Sequence, residues 1–377
     1  MKNTILVLSS LCFIAFGCAE KKDVTLSGLL KEDFSKEING KQNDLYILKN
    51  KNGLEVTVTN YGGRIVSLMV PDKNGELADI VLGKQTIDGY FSSGAAYLGS
   101  VIGRYANRIG NARFVLDSVE YKLAANNNIH SLHGGSAGFN ARVWDAVQVN
   151  PQSIELEYLS PDGEEGYPGN LKIKMVYTLT DKNELIITYE ATTDKPTILN
   201  LTNHSFFNLE GDGSQSINQH LLTINACFYT PTDSLLLPTG EIAKVENTVF
   251  DFQTPTAIGL RIDAPDPQLL NAKGYDLNYV LNKEKPGELS FAAQLEDPVS
   301  GRIMEVFTTE PGLQLYTGNF LTGETGKSGR INPFRSGVCL ETQNFPDSPN
   351  KPHFPSPVLR PGEIYRHTCI YAFSVYE

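Results

Sequence analysis

A carboxylate and a histidine stand in unusual company in this chain. Glu341 directly follows the apolar run Val338, Cys339, Leu340, and a carboxylate buried by such a run is costly unless it is paired or put to use. His204 lies within residues 201–209, where Thr202, Asn203, Ser205 and Asn208 interrupt an otherwise apolar strand. A strand of that composition faces a site or a buried hydrogen-bond network. Arg108 closes the polar run 103–108 between Val101, Ile102 and Ile109, where a structural ion pair and a ligand contact are equally good readings. His133 precedes Gly134 and Gly135, and two glycines allow a tight turn and a close backbone approach. A loop histidine taken alone is more often structural or solvated than catalytic. Asp276, after Gly274 and Tyr275, and Gln314, in the stretch 311–319, add an acceptor and an amide suited to hydroxyl groups. The segment 344–350, with Asn344, Pro346, Asp347 and Pro349, is a turn-forming loop of the kind that shapes sites.

Other chemistries lose their support. Gly323 to Ser328 looks like the end of a phosphate loop, but Leu321 stands where its first glycine belongs, and no strand-then-helix pattern surrounds it. There is no His-Glu-x-x-His, no Gly-x-Ser-x-Gly and no dinucleotide fingerprint. No Cys-x-x-Cys spacing suggests zinc.

The elements that would have to hold these residues are strands. Leu54, Val56 and Val58 alternate, as do Ile154, Leu156 and Tyr158; Leu171 through Leu179; and Leu185, Ile187 and Tyr189. Period two marks half-buried strands. Thr180 to Glu184 between two of them reads as a hairpin loop. Spacings of three and four predict only short helices near Thr86–Tyr90 and Asp263–Leu270. Strands about every ten residues over most of the chain predict an all-β fold, a large antiparallel β-sandwich. The 33 Gly and 20 Pro among 377 residues have no fixed period and supply turns rather than a collagen repeat. With 41% hydrophobic and 20% charged residues the chain can bury a core. Its 32 basic and 43 acidic side chains leave a net charge of −11, which disfavours nucleic acid and anionic lipid as partners.

The first residues read as an address. Lys2, the apolar run Ile5–Phe16, then Gly17 and Cys18 before a polar stretch form a signal-peptide pattern, too short for a membrane span. A small residue before Cys18 resembles a bacterial lipoprotein cleavage site, although Ala15 stands where Leu is usual. The organisation expected is a leader over 1–18 ending at a lipidated Cys18, a polar tether over 19–40, and one domain over 41–377. The protein would then sit in a bacterial cell envelope, periplasmic or membrane-anchored, touching membrane only through that lipid. Of the remaining cysteines, Cys339 and Cys369 lie in strand-like runs and are expected to be buried thiols, and Cys227 leaves an odd number that cannot all pair.

From about Gly53 to Tyr376 the chain resembles the aldose 1-epimerases, or galactose mutarotases. The matching stretches are 105–109, 131–135, 160–169, 202–205, 274–276 and 340–343. The resemblance implies a β-sandwich of the supersandwich kind, an open cleft, a small sugar substrate, no cofactor and no metal. It implies Glu341 as general base and His204 as general acid, with Asn107, Arg108, His133, Asp276 and Gln314 binding sugar. Such chemistry starts from an ionised Glu341 and a charged His204, and an acidic cleft is expected to favour the imidazolium. Arg108 is expected to contact sugar first and the base second. The chain departs from the family at Leu277, where a His is usual, which bears on sugar preference or on packing at that corner. The competing readings are an envelope-tethered, non-catalytic carbohydrate-binding sandwich, a hexose-phosphate mutarotase with further Arg or Lys in its site, and a glycoside hydrolase using Glu341 and Asp276 as its carboxylate pair.

Overall fold

Nine antiparallel strands form the largest sheet of the protein, in the spatial order Asp145–Asn150, Ser153–Ser160, Leu171–Leu179, Glu184–Thr193, Tyr365–Val375, Arg302–Thr308, Ser290–Glu296, Leu221–Ile224 and Thr256–Ala257. The computed structural model describes residues 24–213 and 216–376. The alternating runs become strands as expected: every second residue from Leu171 to Leu179 is buried, and those between are half-buried or exposed. Thr180–Glu184 closes the tight hairpin, the Thr180 N–H donating to the Glu184 carbonyl. The C-terminal strand Tyr365–Val375 pairs with Glu184–Thr193 on one side and Arg302–Thr308 on the other.

A second, five-stranded antiparallel sheet runs Ala243–Lys244, Ala226–Thr230, Asp276–Leu281, Gly312–Tyr316, Cys339–Gln343. A third, of four strands, runs Leu45–Lys49, Glu55–Thr59, Arg64–Pro71, Leu77–Asp79. One apolar core joins all three: Ile173, Met175 and Tyr177 from the first sheet, Leu277, Leu313 and Leu340 from the second, Val56 and Leu68 from the third. This is the expected sandwich of antiparallel sheets. Among the described residues helix is short: 3-10 turns such as Ile87–Phe91, and one α-helix at Pro267–Ala272, capped by the Asp266 carboxylate accepting from the Gln268 N–H.

Two details differ from the sequence reading. Residues 24–40, taken above as tether, lie on the domain: Leu29 and Phe34 are fully buried and Lys36–Ile38 pairs with Lys41–Asn43. The polar residues around them hide two apolar anchors that have no period to reveal them. The leader and Cys18 fall outside the described residues. The second difference is Leu277. It points into the core on the face of its strand opposite Asp276, so replacing the usual His alters packing there rather than the polar face. In the Gly323–Ser328 segment Lys327 is buried, where it pairs with Asp79 at 2.7 Å and donates to the Val66 and Val81 carbonyls. Cys227, Cys339 and Cys369 are free thiols, the last two buried.

Candidate active site

Strand alternation assembles the polar face of the five-stranded sheet. Leu277, Leu315 and Leu340 turn into the core, so Asp276, Gln314 and Glu341 on the same three strands turn away from it. Gln314 and Glu341 are direct cross-strand partners. Gln314 Nε2 donates to Asp276 Oδ1 at 2.6 Å, and Arg108 Nη2 lies 3.8 Å from the other Asp276 oxygen. Asp276 is thus held between an amide and a guanidinium. Such a carboxylate is placed to accept from a hydroxyl group.

The other residues arrive on turns. Asn107 has φ of 65° and His133 has φ of 53°, both left-handed. The chain closes there because Gly134 follows at φ 85°, where a Cβ would stand 2.0 Å from the Gly103 carbonyl oxygen. Asn107 and His133 then bond twice, once through their backbones and once through the His133 ring. The His133 N–H donates to the Asn107 carbonyl at 3.1 Å and the Asn107 N–H donates to His133 Nδ1 at 3.2 Å. An Nδ1 that accepts leaves the ring hydrogen of a neutral imidazole on Nε2. Burial, with His204 and Arg108 adding to it, holds the His133 pKa well below the usual value, so the ring is neutral. Arg108 Nε donates to Asn127 Oδ1 at 3.3 Å.

His204 meets Glu341 at the centre. Its Nε2 lies 3.6 Å from Glu341 Oε1, with His204 5% and Glu341 2% exposed. Phe206 stacks on the imidazole at 5.0 Å between ring centroids, Tyr97 at 5.9 Å, and His133 meets it edge-on at 5.2 Å. The turn bearing Tyr97 is pinned by buried Arg64, which donates to the carbonyls of Ala96 and Leu98. This dry setting sets the protonation states. Burial raises the Glu341 pKa well above the usual carboxylate value, nearby Asp276 raises it further, and Arg108 offsets part of this. Burial lowers His204 to about 4, partly offset by its own backbone carbonyl, while Arg64 lowers it further. Attraction across 3.6 Å favours charges, but desolvating both groups outweighs it. The expected imidazolium is therefore not the resting form, because aromatic cover removes water that an acidic surface alone would leave in place.

These residues line a cavity of about 480 Å³, within the range of small-molecule sites. Asn107, Arg108, His133, His204, Asp276 and Glu341 all face it; Gln314 stands behind Asp276. Seven candidate positions thus form one constellation. Tyr97, Phe206, Tyr316 and Asn127 are among the other residues of the wall. Asn127 adjoins two further asparagines and carries no local signal of its own, while Phe206 stood inside the polar stretch already singled out. Arg108 is the one Arg or Lys of the lining among the described residues. His204, Cys339 and Glu341 are near enough to suggest a metal. Yet Cys339 Sγ lies at Nδ1 and Glu341 at Nε2 of the one ring, so a single ion bound to either nitrogen is turned away from one of the other two.

The aldose 1-epimerase family profile matches residues 44–372. The chain belongs to the aldose 1-epimerase family. It is 47% identical to the galactose mutarotase of Bos taurus over 323 residues, 85% of this chain and 92% of that one. It is 37% identical to the aldose 1-epimerase of Escherichia coli K12 over 337 residues, covering 89% and 96%. Among solved structures, an aldose epimerase homologue from C. elegans superposes with a TM-score of 0.82 at 34% identity, covering 89% of this chain and all of that one. The galactose 1-epimerase of Lactobacillus acidophilus gives 0.79 at 28% identity, over 91% and 97%. These relatives cover 85 to 91% of the chain, so the resemblance read from six short stretches extends over most of its length.

Proposed function

We propose that this epimerase interconverts the α and β anomers of free aldohexoses, glucose and galactose among them. The observation that carries the reading is the close pairing of His204 with Glu341 inside a cavity walled by hydroxyl-binding groups. Glu341 takes the proton of the C1 hydroxyl as the C1 to ring-oxygen bond breaks. His204 Nε2 gives its proton to the departing ring oxygen. Rotation about the C1 to C2 bond presents the other carbonyl face, and the two transfers reverse. One proton serves the pair throughout. Burial places it on Glu341 in the empty cavity, the arrangement that receives an open-chain aldose. The pair that receives a cyclic sugar arises when this proton crosses to His204. Asn107, Arg108, His133, Asp276 and Gln314 are the sugar-orienting set: Arg108 and the Nε2–H of His133 donate, and Asp276 accepts. Arg108 approaches Asp276 rather than Glu341, which fits a first contact with sugar.

A lone arginine facing two carboxylates disfavours a phosphorylated sugar, since a phosphate calls for several cations. A binding-only sandwich has no use for a buried acid and base held together at the cost of desolvating both. Polarimetry of freshly dissolved α-D-glucose and α-D-galactose in a weak non-phosphate buffer tests the proposal. The wild type is expected to accelerate mutarotation beyond background. Glu341→Gln and His204→Asn should each lose on the order of 100 to 10,000-fold. Sugar binding without acceleration would move the binding-only sandwich to the front. For the leader, we propose lipidation at Cys18 and an envelope location, supported by the signal pattern of residues 1–18. Labelled palmitate should enter the wild type and not Cys18→Ala, and equal labelling of both would reject the anchor.

A further inference from the structure

The reaction uses one nitrogen of His204, and the other has a partner of its own. Cys339 Sγ lies 3.5 Å from Nδ1, at hydrogen-bonding distance for sulfur, while Glu341 Oε1 lies 3.6 Å from Nε2. Cys339 and Glu341 are two residues apart on one strand, so their side chains leave the same face, and the imidazole lies against both. Phe206 and Tyr97 stack on the ring and fix its plane. Stacking cannot fix which edge is which. A half-turn about the Cβ–Cγ bond exchanges Nδ1 with a carbon and Nε2 with a carbon, and leaves both stacks nearly unchanged. Polar contacts distinguish the two orientations, Glu341 at Nε2 and Cys339 at Nδ1, and the Cys339 contact is the one that does not take part in the reaction.

We propose that Cys339 is the positioning residue for the general acid: its thiol, bonded to Nδ1, selects the ring orientation that presents Nε2 to Glu341 and to the sugar ring oxygen. This rests on the acid–base reading given above. A histidine that moves protons is commonly oriented by a third group at its far nitrogen. Here that group is neutral, because burial, with Glu341 and Asp276 nearby, keeps the thiol protonated. A neutral partner orients the imidazole without stabilising its charged form, so the ring remains a strong acid. The other titratable groups around the ring are Tyr97, His133 and Tyr316 at its faces and edges, and Arg64, whose charge opposes protonation. None of them is bonded to Nδ1 among the described residues.

The test compares wild type, Cys339→Ala, Cys339→Ser and Cys339→Asp by polarimetric kcat and KM against pH, alongside 15N spectra of the His204 ring. Alanine should lower kcat about 10 to 100-fold, as loss of an orienting partner does elsewhere, with KM within about twofold. Serine, which can still bond Nδ1, should recover most of that loss. Aspartate should move the acid limb of the rate profile to higher pH, because a carboxylate stabilises imidazolium. Wild-type kcat in alanine, or equal impairment in correctly folded serine and alanine variants, would overturn the proposal and leave Cys339 as packing. If the wild type does not accelerate mutarotation, the acid–base reading fails separately and the spectra decide this one. An Nδ1 resonance unmoved by alanine overturns it; one shifted by alanine and restored by serine supports it.

Discussion

At Glu341 and His204, burial works against the charges that the first proton transfer needs, and the pH profile should record this. Activity requires one proton on the pair. A second adds as His204 protonates, at about 4, and the only one leaves when Glu341 ionises, well above the usual carboxylate range. The profile of kcat/KM should therefore keep its acid limb near pH 4, with an alkaline limb displaced upward from ordinary glutamate. An acid limb near 6.5, the value of a solvated histidine, would show that the ring is not desolvated as described. The same burial has a stability signature. A carboxyl whose folded pKa is raised loses stability as pH climbs from its unfolded value through the folded one. Glu341→Gln removes that penalty, so it should melt higher than wild type at pH 8 and nearly alike at pH 4, while being inactive. A variant less stable at pH 8 would refute the assignment.

At the scale of elements, the turn at His133 and the strand alternation around Glu341 carry the site. Gly134→Ala puts a methyl 2.0 Å from the Gly103 carbonyl at a left-handed φ. The expected cost is about 1 to 3 kcal/mol, with weaker sugar binding as His133 and Asn107 shift. Chemical denaturation and KM measure the two effects, and unchanged values for both would mean that the turn does not set the site. The alternation was legible before any coordinates, because Leu340 and Glu341 sit next to each other and a strand must send them to opposite faces. Tyr97 was not legible. It stands among Ser, Gly and Ala without a period, and reaches His204 only through the bonds that buried Arg64 makes to its turn. Leu29 and Phe34 were hidden for the same reason, two apolar anchors in a lysine-rich stretch. Protonation was illegible for a different reason, since aromatic cover from segments about a hundred residues apart in sequence decides it.

For the whole molecule, the buried histidines should govern the response to acid. His204 and His220 are lowered to about 4 and His367 to about 3, each chiefly by burial. A group with a depressed folded pKa is at full effect above its unfolded value and costs stability as pH falls from there to the folded value. Unfolded histidine titrates near 6.5, so each should remove roughly 3 kcal/mol between pH 6.5 and 4. Glu310, raised to about 7 by burial, acts in the other direction. It should remove about 3 kcal/mol as pH rises from 4.5 to 7. The two windows overlap and three histidines outweigh one glutamate, so urea unfolding from pH 4 to 8 should show a maximum near pH 6.5, where the histidine limb ends. Glu310→Gln should flatten the upper one, and an unchanged upper limb would place the loss elsewhere.

The cavity residues come from turns at 107 and 133 and from strands as distant as 276 and 341, and a bound hexose would touch all of these segments at once. Occupancy then resists global unfolding, by RT ln(1 + [L]/Kd), about 1.4 kcal/mol at ten times Kd. The lifetime of the protein would lengthen as its sugar becomes abundant, and it would be most exposed to proteolysis during starvation.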